Sequence, residues 1–364
     1  MKAYMSTAVF ALLGLYLFFW PVPIDPTAWE APPAPKYEGV FAPNTELAEL
    51  SPLPIGGNIG PEDISSLMTK DGLRLYTGTH DGQVLEVNPE DKTHKIIAHT
   101  GGVPLGIEAV NIDGRRLIIA DAYMGLLSVR LSGEVEILTD HYNGDPIRYA
   151  DDLDIDENGI IYFSDASTRH SAKAVGDTLT ASVLEIMEMR RSGRVFTYDL
   201  RTDETTLIKN DLSFPNGIAM GPEGRSIFIV ETGRYRILRH WLDGERRGQS
   251  EIILDNLPGF PDNINRAPNG HYFIGLVSQR TAFLDRFSSL PFIRKMALRL
   301  PAFLRPKPVS YGFIIEINAK GEIIRTWQDP KAAYPSTTGA HAPGDGHVYI
   351  TSLTADKIAY RPYP

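Results

Sequence analysis

Short apolar runs led by turn residues recur along most of this chain. Ile160-Ile-Tyr-Phe-Ser, Ser226-Ile-Phe-Ile-Val and His271-Tyr-Phe-Ile-Gly are β-branched and aromatic, and each follows a turn glycine: Gly159, Gly224 and Gly270. Such runs predict strands. Equivalent strand centres fall at Tyr76, Ile118, Tyr162, Phe228, Phe273 and Tyr349, separated by 42, 44, 66, 45 and 76 residues. A unit in the low forties with four short strands is the signature of a propeller blade. One unit contains the runs Asp152 to Asp156, Ile160 to Asp165, Arg194 to Leu200 and Thr205 to Lys209. Six units fit, which predicts an all-β, six-bladed β-propeller over residues 37–364. The last unit is short of an outer strand, and Tyr37 to Ala42 is expected to supply it and close the ring.

Two units are expanded. Residues 168–193 separate the second and third strands of the third blade, and Ser182 to Met189 within them has the composition of a short helix. Residues 280–309 interrupt the fifth blade with apolar side chains interleaved among Arg286, Arg294, Lys295, Arg299, Arg305 and Lys307. That pattern suits an interfacial helix on anionic lipid, and equally a lid packed on the propeller.

The N-terminus has another character. Between Ala3 and Val22 only Ser6 and Thr7 are polar. About twenty such residues suffice to cross a bilayer, so residues 1–23 are expected to be a transmembrane anchor, with a cleaved signal peptide as the alternative. The amino group and Lys2 precede the apolar stretch and Asp25 follows it. Positive-inside logic then places the propeller on the non-cytoplasmic side: periplasmic, lumenal or extracellular. Residues 24–36, rich in proline, are expected to form a stiff linker.

Composition narrows the chemistry. A net charge of −9 offers no basic surface for nucleic acid. Cys is absent, which excludes disulfides, zinc–thiolate sites and a thiol nucleophile. A bound metal must therefore use oxygen or imidazole. Asp151, Asn216 and Asp262 each stand eight residues before a turn glycine, at the start of an inner strand. In a propeller these positions converge on one mouth of the axial channel. Glu62 occupies nearly the same place in the first blade, whereas the second has Gly106 and the sixth Thr338. Asx residues before strands also serve as ordinary turn caps. Three at one register, joined by Glu62, instead make an all-oxygen set of three carboxylates and an amide, suited to Ca²⁺.

Glu62-Asp63-Ile64, Asp151-Asp152-Leu153, Phe214-Pro-Asn-Gly-Ile218 and Gly259-Phe-Pro-Asp-Asn-Ile264 resemble the strictosidine-synthase-like branch of the calcium-dependent phosphotriesterase superfamily. That superfamily also holds gluconolactonases and paraoxonases. Within the branch the chain is most similar to the single-pass adipocyte plasma-membrane-associated group, over roughly residues 37 to 364. The resemblance implies a propeller with an axial calcium held by Glu62, Asp151, Asn216 and Asp262. It also implies a second calcium at Asp63 and Asp152 with the carbonyl of Ile107, and Asn263 as a further axial ligand. Many relatives carry Asn where this chain has Asp151. Paraoxonases use a histidine where this chain has Leu105. The alkaloid-forming condensing enzyme uses a last-blade glutamate, and Thr338 to Pro343 contains no carboxylate, so strictosidine synthesis is not expected.

The expected activity is calcium-dependent hydrolysis of small apolar esters or lactones, as in arylesterases, with the ion polarising the carbonyl. His170 and His341 are candidate bases, and Glu185 or Glu188 serves no worse. No Gly-x-Ser-x-Gly elbow is present, which disfavours a serine hydrolase. The alternative is a non-catalytic binding or scaffold propeller whose calcium is structural.

Overall fold

In the computed structural model, which describes residues 2–112 and 114–363, six four-stranded antiparallel sheets surround one axis. Their inner strands are Ile64–Thr69, Pro104–Asn111, Ala150–Ile155, Pro215–Met220, Gly259–Arg266 and Thr337–His341. Each touches the next, and the sixth touches the first. The cores lie between blades, where Ile, Val, Leu and aromatic side chains of the second and third strands interdigitate. The six-bladed propeller is as predicted.

Ring closure differs from expectation. Ser51–Pro54 pairs with Lys357–Tyr360 as the outer strand of the sixth blade. Two prolines in four residues disguise a strand, yet an edge strand tolerates residues that cannot donate to the ladder. Tyr37 to Ala42 instead contains a 3₁₀ turn, Gly39–Phe41, and packs on the fifth blade, with Tyr37 and Phe41 against Phe313.

A further irregularity shapes the axis. In five inner strands the pairing slips by one residue at the same place: Pro104/Ile107, Ala150/Leu153, Pro215/Ile218, Pro261/Ile264 and Thr337/Ala340. An extra residue on one strand is a β-bulge, which twists the strand and re-aims a side chain. The residues inside these bulges include Asp151 and Asp152, Asn216, and Asp262 and Asn263. Gly217 lies inside one because a Cβ there would sit 2.6 Å from the Asp262 carbonyl oxygen of the next blade.

The N-terminal helix α1, Lys2–Phe19, is shorter than the expected span. Its 18 residues rise about 27 Å, slightly under a hydrocarbon core of roughly 30 Å. Pro21 and Pro23 follow its end and cannot continue the ladder. Among the described residues no helix is long and apolar enough to cross a membrane. The amino group of Met1, invoked above for topology, lies outside the described residues.

The expansion of the third blade forms α2, Ala172–Val175, and α3, Thr178–Glu188; that of the fifth forms α4, Ala282–Arg286, and α5, Pro291–Arg299. Asp177 caps α3, its carboxylate accepting the Thr180 N–H at 2.7 Å. The proline-rich stretch expected as a linker is a strap across these helices. Ile24 is buried with Leu184, Met187 and Leu284, and the Thr27 N–H donates to the Glu188 carbonyl at 2.9 Å.

Candidate metal and substrate site

The bulges bring Asp151, Asn216 and Asp262 together with Glu62 at one end of the axial channel. All four side chains are buried and all four line one cavity of about 220 Å³. Asn216 Nδ2 donates to Asp262 Oδ1 at 2.5 Å, which fixes its amide orientation. Glu62 Oε2, Asp151 Oδ2 and Asn216 Oδ1 have no hydrogen-bond partner among the described residues. Each such buried atom costs roughly 1–3 kcal/mol until something satisfies it. Burial, then the charges of Asp262 and Asp151, hold the Glu62 carboxyl well above the usual range. Burial, then Asp262, does the same to Asp151, and burial raises Asp262 to about 7. Three mutually repelling carboxylates and an unpaired amide oxygen are the donor set of a hard cation. The residues present fit calcium.

The neighbours have other work. Asp63 accepts the Ile107 N–H at 3.1 Å and the Asn265 amide at 2.9 Å; Asp152 accepts the Ile218 N–H at 2.8 Å. Each carboxylate thus stitches its blade to the next inner strand. Ile107 meets Asp63 through its N–H, and Asp152 Oδ1 is the unpartnered oxygen of this lower pair. Asn263 donates to the Glu62 carbonyl at 2.9 Å, and the Thr338 hydroxyl donates to the same carbonyl at 2.6 Å. These two position Glu62 from the fifth and sixth blades.

The cavity walls are mostly apolar. Tyr149, Phe214, Phe260 and Leu353 surround the floor, while Leu179, Val183, Ile186 and Met187 of α3, Leu284 of α4 and Pro306 to Pro308 cover it. Tyr149 meets Ser182 of α3 at 2.9 Å, joining wall to cover.

Neither candidate histidine lines this cavity. His170 sits behind α3, with Nε2 2.5 Å from Glu188 Oε2. His341 lies at the far end of the sixth inner strand, 2.8 Å from the Ser66 hydroxyl, where burial lowers it to about 4. An inner strand presents only its first residues to the mouth, so four residues of rise carry His341 down the channel. Glu185 and Glu188 also face away from the cavity. His170, Glu185 and Glu188 bring one ligand atom each within 4.8 Å of the others. Their oxygens are already engaged, however: Glu188 by Arg169, His170 and the Asp25 N–H, Glu185 by Ser167 and Ser192. Arg169 occupies the place of a cation there, so the axial ring is the better metal site.

Sequence reasoning did not find Arg294. Its side chain is fully buried and donates to the carbonyls of Met187 at 3.1 Å, Glu188 at 3.3 Å and Ser288 at 3.0 Å, and to that of Thr27. One guanidinium of α5 thereby gathers α3, the turn between α4 and α5, and the strap. Burial lowers it to about 10.

Comparison with known proteins places this geometry. The strictosidine synthase family matches residues 151–245, and the N-terminal region of strictosidine synthase-like proteins matches residues 39–87. The adipocyte plasma membrane-associated protein of Salmo salar is 34% identical over 94% of this chain and 84% of its own length. The chain belongs to the strictosidine synthase-like family. The human adipocyte plasma membrane-associated protein is 31% identical over 91% of this chain and 82% of its own length. Strictosidine synthase-like 7 of Arabidopsis thaliana is 32% identical over 76% and 72%. Two solved structures share the fold at low identity. A gluconolactonase from Xanthomonas campestris has a TM-score of 0.61 at 14% identity, covering 86% of this chain and 89% of its own. A calcium-binding regucalcin from Agrobacterium tumefaciens has 0.58 at 13%, covering 85% and 93%. In this strictosidine synthase-like chain Leu105 is packed among Val103, Tyr149 and Phe214, and Thr338 is engaged with the Glu62 backbone.

Proposed function

We propose that this protein is a membrane-attached, calcium-dependent hydrolase of small apolar esters or lactones. The observation that carries the reading is the group of unpartnered buried oxygens of Glu62, Asp151 and Asn216 at the floor of a covered apolar cavity. When bound there, calcium supplies a Lewis acid for the carbonyl and lowers the pKa of water. The chain contributes the rest. Glu62, Asp151, Asn216 and Asp262 hold the ion; Phe214, Phe260 and Leu353 orient an apolar body; α3 and residues 306–308 exclude bulk water. A gluconolactonase and a calcium-binding protein among the structural neighbours are in keeping with this reading.

In this reading α1 is the single-pass anchor, and the propeller stands on the non-cytoplasmic side. Residues 280–309 add a second contact with lipid. Relatives named as plasma membrane-associated support the attachment.

Purified full-length protein should hydrolyse members of an aryl ester and lactone panel with calcium, lose the activity with chelator, and lose it in Asp262→Ala. If no panel member is turned over and Asp262→Ala binds calcium like the wild type, the hydrolase reading fails. A second reading, a binding or scaffold propeller with a structural ion, is favoured by Leu105, where the resemblance implies a histidine, and by the lack of a carboxylate in Thr338 to Pro343, where it implies a glutamate. Calcium binding without turnover would establish it.

A further inference from the structure

The N-terminal helix is fastened to the cover of the cavity. Arg299 of α5 donates to the carbonyls of Leu17 at 2.9 Å and Trp20 at 2.6 Å, closing the open end of α1. Phe18 packs on Phe292 of α5 with ring centroids 5.1 Å apart. Four residues past Trp20, Ile24 is already buried against α3 and α4. The chain between the helix and the cavity cover is therefore too short to let them separate.

The surface around the mouth matches what lies beside α1. Phe303 is 76% and Leu304 56% exposed, and Leu290 and Phe292 of the same expansion are also exposed. Phe303 and Leu304 stand just before Pro306 to Pro308, which form part of the cavity wall. Arg286, Arg305 and Lys307 are exposed in the same segment, and no carboxylate among the described residues is paired with them. A chain of net charge −9 thus concentrates unpaired positive charge and exposed apolar side chains on the face that carries its cavity. Apolar side chains rimmed by Lys and Arg suit the headgroup boundary of anionic lipid.

We propose that this face lies flat on the anionic lipid surface in which α1 is seated, and that substrate enters the cavity from the lipid phase. The substrate class becomes a membrane-dissolved ester or lactone with a long apolar body, which rests on the hydrolase reading above. The orientation of the face does not.

The absence of cysteine makes the orientation directly measurable. Full-length Phe303→Cys and Leu290→Cys, with Ile137→Cys and Met68→Cys as controls on other surfaces, are labelled with a polarity-sensitive fluorophore. They are then placed in phosphatidylcholine vesicles containing phosphatidylserine. A quencher carried on lipid chains should quench the labels at 303 and 290 several-fold more than those at 137 and 68, and less so in vesicles lacking phosphatidylserine. Equal quenching at all four positions, with the protein still vesicle-bound, overturns the proposal. For entry, Phe303→Asp with Leu304→Asp should lower hydrolysis of a long-chain lactone dissolved in vesicles about tenfold while leaving a water-soluble aryl ester unchanged, since charges on the exposed apolar tip oppose its burial in lipid. Equal loss on both substrates overturns lipid-phase entry. If the wild type hydrolyses neither, the hydrolase reading falls and the quenching result still decides the orientation.

Discussion

Replacing Asp262 by Asn should make the calcium-free protein more stable and the calcium-loaded protein less so. Asp262 is buried beside Asp151 and Glu62, and the three carboxyls repel one another. An amide of the same shape removes one repelling charge, which helps the empty site, and removes one anionic ligand, which harms the filled one. Three carboxylates and an amide suggest a dissociation constant in the ~1–10 μM range. At about 1 mM calcium, linkage then adds roughly 2.7–4.1 kcal/mol to the wild type. That is comparable to satisfying two or three orphaned buried oxygens at ~1–3 kcal/mol each. With an unfolding entropy of about 2.1 cal/mol/K per residue over roughly 330 residues, the wild-type Tm should rise by about 4–6 °C. Loss of one carboxylate, about ten- to a hundredfold in affinity, should reduce the rise to about 1–3 °C. Calorimetric melting with chelator and with calcium, alongside titration calorimetry, measures both arms. An undiminished calcium shift in Asp262→Asn, or none in the wild type, refutes the axial assignment.

Arg294→Met removes the guanidinium donor from the carbonyls of Met187 and Thr27, leaves those of Glu188 and Ser288 with one backbone donor each, and should destabilise by about 2–5 kcal/mol. Hydrogen exchange should show the loss first in the strap and α3. Gly217→Ala would drive a methyl group into the backbone of Asp262 and Ile264 at 2.6–2.7 Å, so calcium affinity and Tm should fall together, as titration and melting would show. Burial raises the Glu185 carboxyl to about 7. The folded state therefore holds a proton that the unfolded state releases near pH 4.3, and this contribution to stability is lost as pH rises from about 4.3 through 7. Glu185→Gln should consequently gain roughly 2–4 kcal/mol on the wild type between about pH 5 and pH 8.5, measured by urea unfolding at saturating calcium. An unchanged difference would place the carboxyl in water.

Period and register were legible because strand and turn residues follow local rules. The spacing of Asp151, Asn216 and Asp262 from their turn glycines carried over directly to one end of the axis. The bulges that turn those residues inward were not legible, since a bulge is a relation between two strands. Ser51–Pro54 was missed because its prolines contradict strand propensity, and tertiary pairing overrode it. The strap and Arg294 were missed for a related reason: an arginine in a basic segment looks solvated until the carbonyls it serves converge from three distant segments. His341 was misplaced by distance along its strand, and His170 by its pairing with Glu188 of α3 on the side away from the cavity, neither of which composition can measure.

The partner of Ser51–Pro54 has a consequence for how the molecule comes into being. Its strand leaves the ribosome some three hundred residues before Lys357–Tyr360, the strand it pairs with. The ring therefore stays open until Tyr360 has emerged, and some three hundred residues must organise before that pairing forms. During the wait Pro52 and Pro54 blunt the edge against pairing with another chain. Deletion of Lys357–Tyr360 should thus act as an assembly defect, yielding aggregation of nascent chains in place of a slightly weakened protein.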